Sequence, residues 1–268
     1  MITPGNLGKH AEKLYMQTLI SDAWFNACGA LGATNDDLIE RALTAVIHSY
    51  TECPGRRYHV IHTDKSIGHI TRMLLDYNYL LNMVGSKVNP HQMRLAILLH
   101  DMVYDPRFND NEDRSAGIGG SLLRICGVPD DAVNKIQEII RYTKYFGEDG
   151  TIGIHAEQAV YPECLRTIRA LDFLPLVKDS YIEVLRNGRL CILEAAELSV
   201  PNWSVLREAR IGFLSEFLQV VPIIFSGRWT IFATNTEHVR RELLLLTEAE
   251  EGTDLLELYK EEITNVTK

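Results

Sequence analysis

The sequence predicts an all-α protein, a compact single-domain helical bundle of roughly ten helices. Three observations carry this expectation. Apolar residues recur at three- and four-residue spacing in one segment after another. Residues that start helices stand ahead of those segments, as at Thr34-Asn35-Asp36-Asp37 and Asn89-Pro90. Strand signals are nearly absent. Val221-Pro222-Ile223-Ile224-Phe225 is the best of them, and Pro222 removes a donor that a ladder would need.

Taken in order, residues 5 to 28 read as a first helix, with Leu14, Met16, Leu19, Ile20, Trp24 and Ala27 near helical spacing. After a break at Gly29 to Thr34, a second helix carries Leu38, Ala42, Ala45, Val46 and Tyr50. A loop with Pro54-Gly55 leads into the polar, His-rich stretch from Arg56 to Ile70. The third helix follows, striped by Ile70, Met73, Leu74, Tyr77, Leu80 and Leu81. Asn89-Pro90 opens a fourth helix, expected to end at Pro106. The fifth opens at Glu112 and is expected to break near Gly117 to Gly120 before resuming to Cys126. The sixth, with Val133, Ile136, Ile139 and Ile140 inside, is expected to reach about Phe146. Helical patterns then cover 155–177, 181–196, a stretch from Pro201 with Phe213, Leu214 and Phe217 inside, 236–246 and 254–266. Residues 1–52 are expected to pack as an N-terminal helical extension on the main helical domain, 53–246, with 247–268 a C-terminal helix.

Composition narrows the function classes. Hydrophobic residues make up 46% of the chain and charged residues 24%, ordinary for a folded domain with a real core. The net charge is −9 and no long Lys/Arg block occurs, so general binding to a nucleic-acid backbone is not expected. Cys28, Cys53, Cys126, Cys164 and Cys191 are widely spaced and form no Cys-x-x-Cys pair. That argues against a disulfide framework and a zinc-thiolate site, and suits a reducing compartment. With no basic-then-apolar leader and no apolar run of membrane-spanning length, a cytoplasmic protein without membrane contact is expected.

The chemistry centres on Leu95-Ala96-Ile97-Leu98-Leu99-His100-Asp101. Five apolar residues run straight into an imidazole and a carboxylate. A helix apolar on all sides is buried, and a buried carboxylate must be paired or metal-bound. His69 begins the third helix beside its core stripe, and Asp172 sits within Ala170-Leu171-Asp172-Phe173-Leu174. Two imidazoles and two carboxylates could form one site for a divalent transition metal, Mn, Fe, Co, Ni or Zn. The plainer alternatives stay open: His69 as a partly buried helix-start residue, and Asp172 neutralised by Arg166 or Arg169.

The order His … His-Asp … Asp on an all-helical chain resembles the HD superfamily of metal-dependent phosphohydrolases. It is similar above all to one branch of predicted HD phosphohydrolases. The matching residues are Arg56-Arg57-Tyr58-His59, His69-Ile70, His100-Asp101-Met102-Val103-Tyr104-Asp105-Pro106, Asn111-Glu112-Asp113-Arg114-Ser115-Ala116 and Asp172, with Glu237-x-x-Arg240-x-Glu242-Leu243 resembling the branch's tail. The resemblance implies a bundle of the HD-domain type. It implies metal-dependent hydrolysis of a phosphoester in a small phosphorylated substrate, a nucleotide being the expected class. His69, His100, Asp101 and Asp172 would be the ligands, and Asp105 or Glu112 would serve the attacking water. Four residues after Asp101, Asp105 lies one helical turn on and could face the same site, or could simply cap the helix. Asn111 and Glu112 could equally be the N-cap and first turn of the next helix. Arg57, Tyr58 and His59 would line the substrate side.

Two departures stand out. Nine residues separate His59 from His69 where the branch usually has three, which leaves His62 as a rival first ligand. Lys144-Tyr145-Phe146 stands where the branch tends to carry a histidine, with His155 the one replacement in view. A mononuclear centre follows more naturally than a binuclear one. The alternatives are a non-catalytic HD-fold module that binds metal or nucleotide, and an alarmone or cyclic-nucleotide hydrolase.

Overall fold

The computed structural model describes residues 4–52, 55–60, 68–85, 87–144, 159–198, 202–231 and 235–268; for 4–13 and for Arg228 it describes the backbone alone. His62 and His155 lie outside the described residues, as do Tyr145 and Phe146. Within the described residues the protein is all-α, as expected, with no strand. The helices are α1 (Pro4–Ala30), α2 (Asp36–Thr51), α3 (His69–Val84), α4 (Pro90–Leu99), α5 (Asn111–Ile125), α6 (Asp130–Arg141), α7 (Pro162–Lys178), α8 (Tyr181–Leu198), α9 (Trp203–Ile224), α10 (Glu237–Glu248) and α11 (Leu255–Thr267), with a 3₁₀ turn at Gly227–Ile231. The chain forms two compact units. One comprises 1–144 with 163–168, the other 145–162 with 169–268.

In the first unit α4 is the central element, packed by α1, α3, α5 and α6. Leu95 through Leu99 are all fully buried, which explains why this helix carries apolar residues on every side. Its start is fixed by Asn89, whose side chain accepts from the His91 and Gln92 amides, and by Pro90 in the first turn. Buried polar groups then tie the helices together. The Trp24 indole on α1 donates to the Ile39 carbonyl of α2 at 3.0 Å, and the Tyr50 hydroxyl, at the end of α2, donates to the Leu98 carbonyl of α4 at 3.0 Å.

Several helices differ from the sequence reading. α6 ends at Arg141, short of Phe146, and the Thr143 hydroxyl just beyond it donates to the Ile140 carbonyl. α7 begins at Pro162, a helix-starting residue, with 159–161 non-helical. α5 and α4 differ as follows. The fifth helix is unbroken through its glycines. A Cβ at Gly120 would lie 2.3 Å from Gln137 Nε2 on α6, and one at Gly119 would lie 3.2 Å from the Leu99 side chain on α4. The missing side chains are what allow α5 to approach its neighbours, and that packing outweighs the weak helix propensity of glycine.

The fourth helix ends at Leu99, well before Pro106. Side chains from elsewhere capture the backbone groups that a longer helix would use. Arg56 donates to the Met102 carbonyl at 2.9 Å. Ser115 accepts from the Val103 amide at 3.0 Å and donates to the Val103 carbonyl at 3.2 Å. Asn111 accepts from the Asp105 amide at 3.0 Å and donates to the carbonyls of Asp105 and Phe108. Ser115 is fully buried. Ser115→Ala is therefore expected to cost about 1–3 kcal/mol by leaving two backbone groups unmet, read as a lower urea midpoint; an unchanged midpoint would show that water replaces the hydroxyl.

In the second unit α8 packs on α10 and α11, and α9 packs on α10. The strand-like Val221–Ile224 completes α9. Phe217, Val220, Val221 and Ile224 are buried at helical spacing, so the segment buries one helical face instead of alternating. Glu242 on α10 is also fully buried. Both its oxygens meet the Arg210 guanidinium of α9, at 2.9 and 3.3 Å, and the Tyr259 hydroxyl of α11 donates to it at 2.6 Å.

Candidate metal centre

Three of the expected ligands converge within the first unit. His69 is the first residue of α3, His100 caps the end of α4, and Asp101 follows in the turn. One ligand atom from each of the three lies within 4.8 Å of the others. Both imidazoles are buried, while Asp101 is partly exposed, so the cluster has a closed side and an open one.

The tautomer of His100 decides what this cluster can hold. Its Nδ1 lies 2.9 Å from the Ile97 carbonyl, an acceptor with no proton to give, so Nδ1 carries the hydrogen. In the neutral ring Nε2 then presents a lone pair, 3.0 Å from Asp101 Oδ2. Two acceptors at that distance repel unless a cation stands with them, either a second imidazole proton or a metal ion. A backbone carbonyl orienting the far nitrogen is also the usual support of a metal-ligating histidine. Burial opposes the charge on Asp101, yet His100, His59 and His69 together hold its carboxyl well below the ordinary range.

Around this cluster lies a ring of aromatic side chains. Tyr58 stacks on His69 with ring centres 4.8 Å apart, and His59 lies against Tyr104 at 4.1 Å. Of the expected substrate-side residues, Tyr58 and His59 are thus in contact with the cluster's own surroundings, both half-buried. Arg57 is half-buried beside them and donates to the Arg56 carbonyl at 2.9 Å.

The two acids expected to serve water part company. Asp105 does not lie on a helical turn beyond Asp101, because α4 has already ended. Its carboxylate accepts from the Arg107 amide at 3.0 Å and from Arg107 Nε at 2.8 Å, and these bonds hold it below the usual range. Glu112, in the first turn of α5, is raised instead, by burial first and by the charge of Asp101 as well. Asn111 is not the cap of α5: Asp110 occupies that position, and the Asn111 side chain turns to the 105–108 loop.

Asp172 lies on α7 in its second-unit portion and is partly exposed. There its charge adds a lesser push to the Cys191 thiol, which burial raises to about 12.

Arg56 and Ser115 are the participants that spacing alone does not single out. Both stand in stretches that carry the family resemblance, but without an assigned role; for Ser115 a further signal is that a hydroxyl on the buried face of a helix must find partners. Compared with family models, curated proteins and solved structures, the chain matches none.

Proposed function

We propose that the protein is a metal-dependent hydrolase that cleaves a phosphoester bond in a small phosphorylated substrate, with a nucleotide as the expected class. The observation that carries this reading is the convergence of His69, His100 and Asp101, with one ligand atom from each within 4.8 Å of the others and His100 Nε2 3.0 Å from Asp101 Oδ2 while Nδ1 is held by the Ile97 carbonyl. Nitrogen and oxygen donors of this kind suit Mn, Fe, Co, Ni or Zn, and three protein ligands leave positions for water and substrate. A bound ion would supply Lewis-acid polarisation of a phosphoryl oxygen and acidify water. The fourth residue expected from sequence, Asp172, belongs to the other unit, and the proposed centre rests on the three residues of the first.

Glu112 is the proposed general base. A carboxyl raised by burial and by a neighbouring anion is closer to the working pH than a free one, and accepts a proton more readily. Asp105 is committed to Arg107 and is proposed to hold the loop. Arg57, Tyr58 and His59 are proposed to meet the substrate, supplying charge and hydrogen bonds to phosphate; the ring contact between Tyr58 and His69 supports this.

Purified protein, stripped and then reloaded with Mn or Co, is expected to release phosphate from members of a nucleotide and phosphoester panel. Glu112→Gln is expected to lower kcat by roughly 10²–10⁴-fold, and Asp105→Asn far less. Equal losses for the two would overturn the assignment of the base. Turnover that survives metal stripping would overturn the metal-dependent reading. Metal and nucleotide binding with no turnover on any panel member would favour a binding module instead.

A further inference from the structure

Arg56 and Arg57 are neighbours in sequence, yet the structure treats them differently. Arg57 is half-buried, whereas Arg56 is 4% exposed. One Arg56 nitrogen donates to the His59 carbonyl at 3.1 Å, and another to the Met102 carbonyl at 2.9 Å. Its guanidinium carbon lies 5.1 Å from the centre of the Tyr50 ring and 5.9 Å from that of Tyr104. Tyr50 is itself fixed to the Leu98 carbonyl of α4.

The Met102 carbonyl belongs to the segment that carries His100 and Asp101, and the His59 carbonyl to a segment that is hydrogen-bonded to the start of α3. His59 precedes Val60, whose carbonyl accepts from the Ile70 amide at 3.3 Å, next to His69. Met102 directly follows His100-Asp101. One buried guanidinium thus bonds the His69 side to the His100-Asp101 side. An arginine keeps its charge, so burying it costs heavily unless dipoles meet it; here two carbonyls meet the terminal nitrogens and two ring faces flank the guanidinium, while Nε has no hydrogen-bond partner among the described residues. Where packing alone is needed, an apolar residue of similar volume serves as well or better.

We propose that Arg56 is a positioning residue of the metal centre. It fixes the separation between His69 and the His100-Asp101 pair by fastening the Met102 turn to the His59 segment. The inference rests on the metal reading of the cluster. Ligands must be held to within about 0.5 Å of a productive arrangement, and neither the 55–60 segment nor the 101–103 turn is part of a regular helix that would hold them so.

The test uses the full chain and Arg56→Lys, which keeps the charge but loses the planar fork that reaches two acceptors. Co(II) affinity is measured by titration, and amide hydrogen exchange is measured on metal-free protein. The variant is expected to lose roughly 10–100-fold in Co(II) affinity, as outer-shell supports of metal ligands do, with its helical circular dichroism unchanged. Exchange is expected to quicken together at Val60 and Ile70 on one side and at Met102 and Val103 on the other. An arginine that merely adds stability would lower the melting temperature and leave Co(II) affinity untouched, which would overturn the proposal. So would quickened exchange confined to one segment. If Arg56→Lys does not fold, Arg56→Gln, which is uncharged and retains an N–H donor, is measured in its place. If the unaltered protein takes up no Co(II), the metal reading falls, and the exchange data alone then decide whether Arg56 couples the two segments.

Discussion

His100→Asn is expected to empty the metal centre while leaving the first unit folded. The substitution separates the two jobs of the ring. Its Nδ1 bonds the Ile97 carbonyl at 2.9 Å, and the amide nitrogen of an asparagine can take over that donation. What disappears is Nε2, the atom that faces Asp101 at 3.0 Å. Loss of a ligand should cost more than the roughly 10–100-fold in affinity that loss of an outer-shell partner costs. Elemental analysis after dialysis against a limiting metal buffer is expected to find the variant essentially metal-free. The metal-free protein should also lose about 2 kcal/mol, since the Asp101 carboxylate forfeits a charged partner in a partly buried place. The rival account, a plain imidazolium–carboxylate pair, predicts the same loss of stability with no metal in either protein. The two measurements together therefore separate the accounts, and equal metal content in variant and parent would overturn the ligand role of His100.

The part of this site that was legible in the sequence is the part set by local periodicity. The apolar run 95–99 had to be buried, so the residues at its end had to lie at a core boundary, and they do. His69 was legible for a similar reason: Ile70, Met73, Leu74 and Tyr77 are fully buried, and their stripe fixes where α3 begins. Legibility stopped where side chains reach across the chain. The end of α4 at Leu99 is set by Arg56, 46 residues from the carbonyl it holds, and by Ser115, 12 residues from its partner. No local rule contains those bonds, so a helix running to Pro106, with Asp105 one turn beyond Asp101, was the natural extrapolation. The glycines of α5 misled for the complementary reason. Local propensity counts them as breaks, while tertiary packing requires their lack of a side chain against Gln137 and Leu99.

Arg210→Met is expected to be among the most destabilising single changes in the second unit. Glu242 is fully buried, and its carboxylate is met by the Arg210 fork at 2.9 and 3.3 Å and by the Tyr259 hydroxyl at 2.6 Å. Burial works against the charge of Arg210, but the adjacent Glu242 carboxylate outweighs it and holds the guanidinium protonated. Burial and the same carboxylate push the Tyr259 phenol well up, so it remains a donor. The cage has no slack, because a Cβ at Gly188 on α8 would stand 2.5 Å from Glu242 Oε1 and 2.9 Å from the Tyr259 ring. Removing the guanidinium leaves an uncompensated carboxylate in that space, which costs about 3–5 kcal/mol. The double variant Arg210→Met with Glu242→Leu removes both charges and should recover most of that loss, since well-packed apolar groups replace buried ion pairs at little cost. Urea denaturation followed by circular dichroism reads both, and hydrogen exchange along α8 to α11 shows where stability is lost. If the single variant melts like the parent, Glu242 has found water or a proton at no cost, and the cage is not what holds these helices together. If the double variant is no better than the single one, the loss came from the volume and hydrogen bonds of the arginine and not from a stranded charge.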